Sequence, residues 1–142
     1  MDKVMEIFSF TLVTPEKILF KKDVSMVVIP GLEGDIGVLS NHAPLLTVLR
    51  PGVVRIYEGS DILLRIFVDG GFSEITPQKC TALVTEGTSL EALDKSTLEM
   101  EIQNLLEDIE ESKTKEEREQ VGEVLDVARA KLMEVLTHEK LQ

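Results

Sequence analysis

The hydrophobic rhythm of this chain changes once, near Gly87, and no proline follows that point. Before it, short apolar runs rich in Val, Ile, Phe and Leu recur about every 8 to 12 residues between Gly, Pro, Asn and Asp. After it, apolar residues return at helical spacing. A chain written in two periods cannot be one uniform layer. The runs predict strands over residues 7–13, 24–29, 36–39, 45–49, 52–57, 62–68, 71–75 and 81–84. Glu58-Gly59-Ser60-Asp61 and Pro77-Gln78-Lys79 have turn chemistry. Many short strands with such turns argue for a β-sandwich or barrel.

In the second part, Leu98, Ile102, Leu105/Leu106 and Ile109 share one face of a first helix. Val121, Leu125, Ala128, Leu132 and Val135/Leu136 do the same for a second, read over 118–142. Asp94 is placed to cap the first helix, and Thr114 with Glu117 makes a capping box for the second. Ser112-Lys113-Thr114-Lys115 turns the chain between them, and Gly122 costs the second helix about 1 kcal/mol relative to Ala, which predicts fraying of its first turn. The expected fold class is α+β in two segregated parts. An N-terminal antiparallel β-sandwich or barrel over 1–87 precedes a C-terminal antiparallel α-helical hairpin over 88–142. A hairpin of that size is marginal alone, so it must dock on the β-domain or on another partner.

Charge restricts the partners. The 142 residues carry 26 acidic and 15 basic side chains, a net of −11. Residues 1–90 hold 11 acidic and 8 basic, a net of −3; residues 91–142 hold 15 and 7, a net of −8. Such a surface repels phosphate backbones and anionic lipid heads, which disfavours nucleic acid and the membrane surface as partners. No apolar run approaches the roughly 18 residues of a membrane span. The first residues show no secretion signal, so an intracellular protein is expected. Lone Cys80 makes no internal disulfide, and two histidines offer no metal cluster. No cofactor is expected.

The segment Val28-Ile29-Pro30-Gly31-Leu32-Glu33-Gly34-Asp35-Ile36-Gly37-Val38-Leu39 continues into Ser40-Asn41-His42-Ala43-Pro44-Leu45-Leu46-Thr47-Val48-Leu49-Arg50-Pro51-Gly52. Its residue types make local sense: Gly31, Gly34 and Gly37 permit positive φ, and Pro44 and Pro51 bracket an apolar strand. Gly70-Gly71 beside Phe72 suits a bulge or a close backbone approach. Glu33 and Asp35 place two carboxylates on the loop, facing solvent or a partner. Combining them with His42 suggests acid/base catalysis. However, no Ser or Cys nucleophile stands in a recognised context nearby, so a turn-stabilising or subunit-contact role for His42 is the better reading. Gly31-x-x-Gly34-x-x-Gly37 is no P-loop, since no lysine follows it. Cys80 reads as a small packed residue in a strand.

The same segment resembles the signature of the epsilon subunit of F-type ATP synthase, homologue of the mitochondrial delta subunit. Thr14-Pro15-Glu16, Val68-Asp69-Gly70-Gly71-Phe72-Ser73-Glu74-Ile75 and the order of parts match that family too. The resemblance implies a non-catalytic part of the central stalk, coupling the proton-driven membrane ring to the gamma shaft during ATP synthesis. By this likeness Asp35 matches the acidic loop position near the ring of c subunits, with Glu33 and Ile36 beside it, and His42 is assigned to the gamma contact. The implied location is peripheral, on the cytoplasmic face of a bacterial inner membrane, since no transit peptide precedes Met1.

In some members of that family the hairpin extends along gamma and inhibits ATP hydrolysis, using basic residues against an acidic segment of the beta subunit. A hairpin of net −8 would meet that segment with little attraction, so inhibition is expected to be weak or absent. Some bacterial members also clasp ATP with I/L-D-x-x-R-A on the first helix. Here Leu93-Asp94-Lys95-Ser96-Thr97-Leu98 lacks the Arg and Ala, and the nearest spelling, Leu125-Asp126-Val127-Ala128-Arg129-Ala130, falls on the second helix. No nucleotide-binding residues are therefore expected. Two other classes explain less. A free-standing interaction module with a helical clamp accounts for the periodicity but not the long motif. A small hydrolase around His42 predicts turnover by the isolated chain.

Overall fold

A computed structural model describes residues 6–140 of the chain, and internal contacts divide it after Ser89 into two compact units. The first unit holds ten strands. These are β1 (Phe8–Val13), β2 (Ile18–Val24), β3 (Met26–Gly31), β4 (Gly34–Val38) and β5 (Leu45–Leu49), then β6 (Gly52–Glu58), β7 (Asp61–Val68), β8 (Gly71–Ile75), β9 (Lys79–Val84) and β10 (Gly87–Ser89). Hydrogen bonding runs β10-β7-β6-β3-β5-β8-β9-β1-β2, with β4 on the far side of β3. The ends of this path approach each other. A side chain at Gly87 in β10 would meet Leu19 of β2 at 2.6 Å, so only hydrogen there lets the sandwich nearly close.

Alternation places the core. Phe8, Phe10 and Leu12 point inward from β1, as do Val27 and Ile29 from β3, Val54 and Ile56 from β6, and Cys80, Ala82 and Val84 from β9. Ser73 is buried among them, its hydroxyl donating to the Thr81 carbonyl at 2.9 Å, which satisfies a polar group that would otherwise cost stability.

The strands differ from the sequence reading in four places, the first being β10, a short strand absent from that reading. The run over 24–29 is two strands, broken at buried Ser25, whose hydroxyl donates to the Tyr57 carbonyl at 3.0 Å. Strand β2 ends the path, and its short apolar stretch Ile18-Leu19-Phe20 gives way at once to the exposed Lys21, Lys22 and Asp23 of an edge strand. The sheet is antiparallel except between β1 and β9, which pair in parallel. The expected turns hold. Gly59 has φ 65° between paired Glu58 and Asp61, and Thr76 N–H donates to the Lys79 carbonyl at 2.8 Å around Pro77.

The second unit has a short 3₁₀ turn (Leu90–Ala92), then α1 (Lys95–Glu111) and α2 (Lys115–Lys140), which pack on each other across a three-residue turn. Asp94 caps α1 by accepting from the Thr97 N–H at 3.0 Å. At α2, Thr114 Oγ1 accepts from the Glu117 N–H at 3.1 Å. The returning Glu117 carboxylate takes the Lys113 N–H at 2.9 Å, one residue earlier than a standard capping box. Leu98, Leu125, Ala128 and Val135 are buried, and Ile102, Leu105, Leu106, Ile109, Val121, Leu132 and Leu136 half-buried, as the periodicity requires. Helix α2 starts at Lys115 and runs through Gly122 without a break, so the glycine lies in the helix interior and not in a frayed first turn. The end of the second helix at 141–142 lies outside the described residues.

Candidate functional site

The glycine-rich segment folds as a hairpin. Gly31 pairs with Gly34, leaving Leu32 and Glu33 as a two-residue turn between β3 and β4. The three glycines serve different ends. Gly34 has φ 151°, which favours glycine. Gly31 is needed for space, since a side chain there would meet the Gly34 carbonyl oxygen at 2.7 Å. Gly37 has neither a positive φ nor a neighbour within 4 Å, contrary to the expectation that all three permit positive φ. Gly71 bears out the close approach expected beside Phe72: a Cβ there would stand 2.0 Å from the Leu83 carbonyl oxygen.

Carboxylates Glu33 and Asp35 have different environments. Asp35 Oδ1 accepts from Arg50 Nη2 at 2.6 Å, and Oδ2 accepts from Arg55 Nη2 at 3.4 Å. The Arg50 guanidinium also donates to the Gly31 carbonyl, and the Arg50 N–H donates to the Pro30 carbonyl at 2.9 Å. Asp35 is thus tied inside the chain and does not face a partner with its charge free. It also lies beside a like-charge pair, because Arg55 stands directly opposite Arg65 on β7. Glu33, at the tip, is exposed and has no ion pair among the described residues. Ile36 is half-buried and packs against the core, next to Gly31. Sequence reasoning missed Arg50 and Arg55. Their signals were an Arg closing the long motif and the one charged residue interrupting the apolar run of β6.

His42 lies elsewhere. It sits in the β4–β5 connection, its N–H donating to the Leu39 carbonyl at 3.2 Å and its Nδ1 2.7 Å from the Ala43 oxygen. Asn41 before it adopts φ 66°, and its N–H donates to the Pro77 carbonyl at 2.8 Å. Asp35 and His42 therefore flank opposite ends of β4, whose five residues span about 15 Å. The structure does not assemble Glu33, Asp35 and His42 into an acid/base group. Among the described residues no cluster of His, Cys, Asp and Glu is placed to hold a metal ion, and no helix is long and apolar enough to cross a membrane.

What the site does offer is a contact surface. Beside the hairpin turn lies an open groove lined by Leu32, Ile36, Leu45, Leu46 and Val48. On the outer sheet face Leu46 is 72% exposed, Val48 55% and Phe72 of β8 51%. Val48 and Phe72 stand opposite each other across the β5–β8 pair. Apolar area gathered this way on one face marks an interaction surface more than a scattered single residue would.

Fold and surface together define a two-part docking chain, a nearly closed β-sandwich with an apolar flank followed by a helical hairpin. Residues 7–89 match the family described as ATP synthase, Delta/Epsilon chain, beta-sandwich domain. Over 127 residues the chain is 39% identical to the ATP synthase epsilon chain of Rhodospirillum rubrum, covering 89% of this chain and 95% of that one. It is 43% identical over 128 residues to the ATP synthase epsilon chain of Rhodospirillum centenum, covering 87% and 88% respectively. The chain belongs to the ATP synthase epsilon chain family. Its fold is also that of a chain in the mitochondrial ATP synthase of Euglena gracilis, solved as OSCP/F1/c-ring. That match has a TM-score of 0.76 at 22% identity and covers 92% of this chain and 82% of the other.

Proposed function

We propose that this chain is a non-catalytic subunit of the central stalk of an F-type ATP synthase, joining the membrane ring of c subunits to the gamma subunit. The observation that carries the reading is the likeness to epsilon chains, which spans both the sandwich and the hairpin. The geometry supports it. Rotor torque needs a broad joint, because exposed ion pairs are each worth only about 0 to 1 kcal/mol. The exposed Leu46, Val48 and Phe72 supply apolar area for the gamma contact, with His42 at the near end of β5.

The ring contact falls to the β3–β4 turn. Glu33 presents the free carboxylate toward cations on ring loops, while Asp35 and half-buried Ile36 hold the turn in shape. Location follows from the complex, as a peripheral subunit on the cytoplasmic face of a bacterial inner membrane. Inhibition of ATP hydrolysis by the acidic hairpin is weak or absent, and any contact with the beta subunit is made without strong charge attraction.

Size-exclusion chromatography of the purified chain with its cognate gamma subunit, across a salt series, tests the reading. Co-elution that survives high salt is expected, because apolar burial is not screened as exposed charges are. Separate elution at every salt concentration would leave a free-standing interaction module with a helical clamp.

A further inference from the structure

Strand β5 is hydrogen-bonded along its whole length to β8, but its other side is nearly bare. It meets β3 only at the Gly31–Leu49 rung, closed by Leu32 N–H to the Val48 carbonyl and Arg50 N–H to the Pro30 carbonyl, both 2.9 Å. That rung fixes the parity of the strand. The Val48 carbonyl points away from β8, and in an antiparallel ladder a residue's N–H and carbonyl point the same way. The Val48 N–H and both backbone groups of Leu46, two residues back, therefore also point away from β8. None of these three groups is hydrogen-bonded among the described residues.

Proteins guard such edges with Lys, Pro, a bulge or a covering segment. Leu45-Leu46-Thr47-Val48-Leu49 holds none of these; its only nearby guard is Pro44, just before it. The facing edge, β4, is the poorer template, because Gly34, Asp35 and Gly37 occupy it. A carboxylate without an ion pair among the described residues lies beside the bare edge. This is Glu74, which stands opposite Leu46.

We propose that the gamma contact is made by strand addition: an extended segment of gamma, apolar in its middle and basic toward one end, pairs with the free edge of β5. Its main chain takes up the Leu46 and Val48 groups, and its apolar side chains cover Leu46, Val48 and Phe72. Its basic side chain meets Glu74, which leaves Glu33 to the ring. This rests on the stalk reading above, and it goes further in naming the backbone of β5 as the joint and an extended strand as the occupant.

Amide hydrogen exchange of the full chain, free and bound to its cognate gamma subunit, tests this directly. Leu46 and Val48 are expected to exchange rapidly when free and to become protected in the complex, while Thr47, bonded to β8, is protected in both. Formation of the complex with Leu46 and Val48 still unprotected would overturn strand addition and leave the stalk reading intact. Absence of any complex would overturn both. Protection already present in the free chain, growing with its concentration, would assign the edge to a second copy and overturn the proposal.

Leu46→Pro gives an independent arm, since it deletes only a free-edge N–H and proline is tolerated there. It should bind gamma about 10-fold more weakly than Leu46→Ala, which keeps that N–H. Equal affinities of the two folded variants would refute the pairing.

Discussion

Arg50 Nη2 stands 2.6 Å from Asp35 Oδ1, so the acidic residue the motif offers to a partner is held by a cation of its own chain. Two roles that the motif merges are thereby separated: Asp35 maintains the turn, and Glu33 carries the free charge. Both members of the pair are more than a third exposed, so solvent screening keeps its contribution near the surface value. Asp35→Asn should lower stability by about 1 kcal/mol, a few degrees in thermal midpoint. Glu33→Gln should leave the midpoint within about 0.5 kcal/mol of the parent but alter the salt dependence of ATP-driven proton pumping by the assembled complex. Thermal melts of the two variants that move equally would refute the division of labour.

Glycines 71 and 37 look alike in the sequence and should behave as opposites. Gly71 combines φ 133° with a Leu83 carbonyl oxygen 2.0 Å from where a Cβ would sit, so no side-chain rotation relieves the clash. Gly71→Ala is expected to cost about 3 kcal/mol or more, enough to prevent folding of the sandwich. Gly37→Ala meets nothing within 4 Å and should stay within about 0.5 kcal/mol of the parent. Urea titrations read both, and a tolerated Gly71→Ala would contradict the packing of β8 on β9.

Cys80 gives a prediction with a sign. Burial pushes its thiol up from the ordinary value, opposed by a smaller hydrogen-bond effect from Ser73, whose Oγ lies 3.4 Å from Sγ. Between the unfolded and folded thiol values the native chain holds a proton that the unfolded chain releases. Stability from this source is therefore complete below the unfolded value and falls as pH rises through the window above it. The parent should lose more stability than Cys80→Ala as pH is raised into the alkaline range. Parallel pH curves in urea would exclude the effect. The same burial predicts that a thiol reagent labels Cys80 only when the sandwich opens.

Much of this architecture was legible because its causes are local. Phe8, Phe10 and Leu12 alternate because one side of β1 faces the core, and Asp94 precedes the first turn of α1 because its carboxylate takes an orphan amide. What escaped depended on residues far apart in the chain. That Arg50 and Arg55 meet Asp35 depends on the β3–β4, β3–β5 and β3–β6 pairings, which no local pattern states. Strand β2 escaped for another reason, since its apolar stretch, Ile18-Leu19-Phe20, is cut short by the exposed Lys21 and Lys22 of an edge strand. Parallel pairing of β1 with β9 joins residues about 70 apart, and no short-range pattern encodes it.

Gly122 is a residue that α2 tolerates without using. The helix continues on both sides of it, and a Cβ would meet nothing within 4 Å. Gly122→Ala should therefore stabilise the hairpin by about 1 kcal/mol through reduced freedom of the unfolded chain. Circular dichroism melts should show a higher helical midpoint. A lower one would mean that the site is tighter than its surroundings suggest.

The charge of the hairpin bears on ATP hydrolysis by an assembled complex. Residues 91–142 carry 15 acidic against 7 basic side chains, and α1 has no basic residue in its last turn, where a cation would complement the helix dipole. Extension of such a hairpin toward an acidic segment of another subunit gains little from charge, and a like-signed approach in a low-dielectric contact is penalised. ATP hydrolysis by complexes carrying the full chain should then equal that of complexes carrying a chain cut after Ser89. Marked activation on removing the hairpin would show that apolar contacts, such as those available to exposed Met100, Val124 and Met133, hold it in an inhibitory position despite its charge. Replacing Met133 with a polar residue in the full chain would then reproduce the activation, whereas added salt would not.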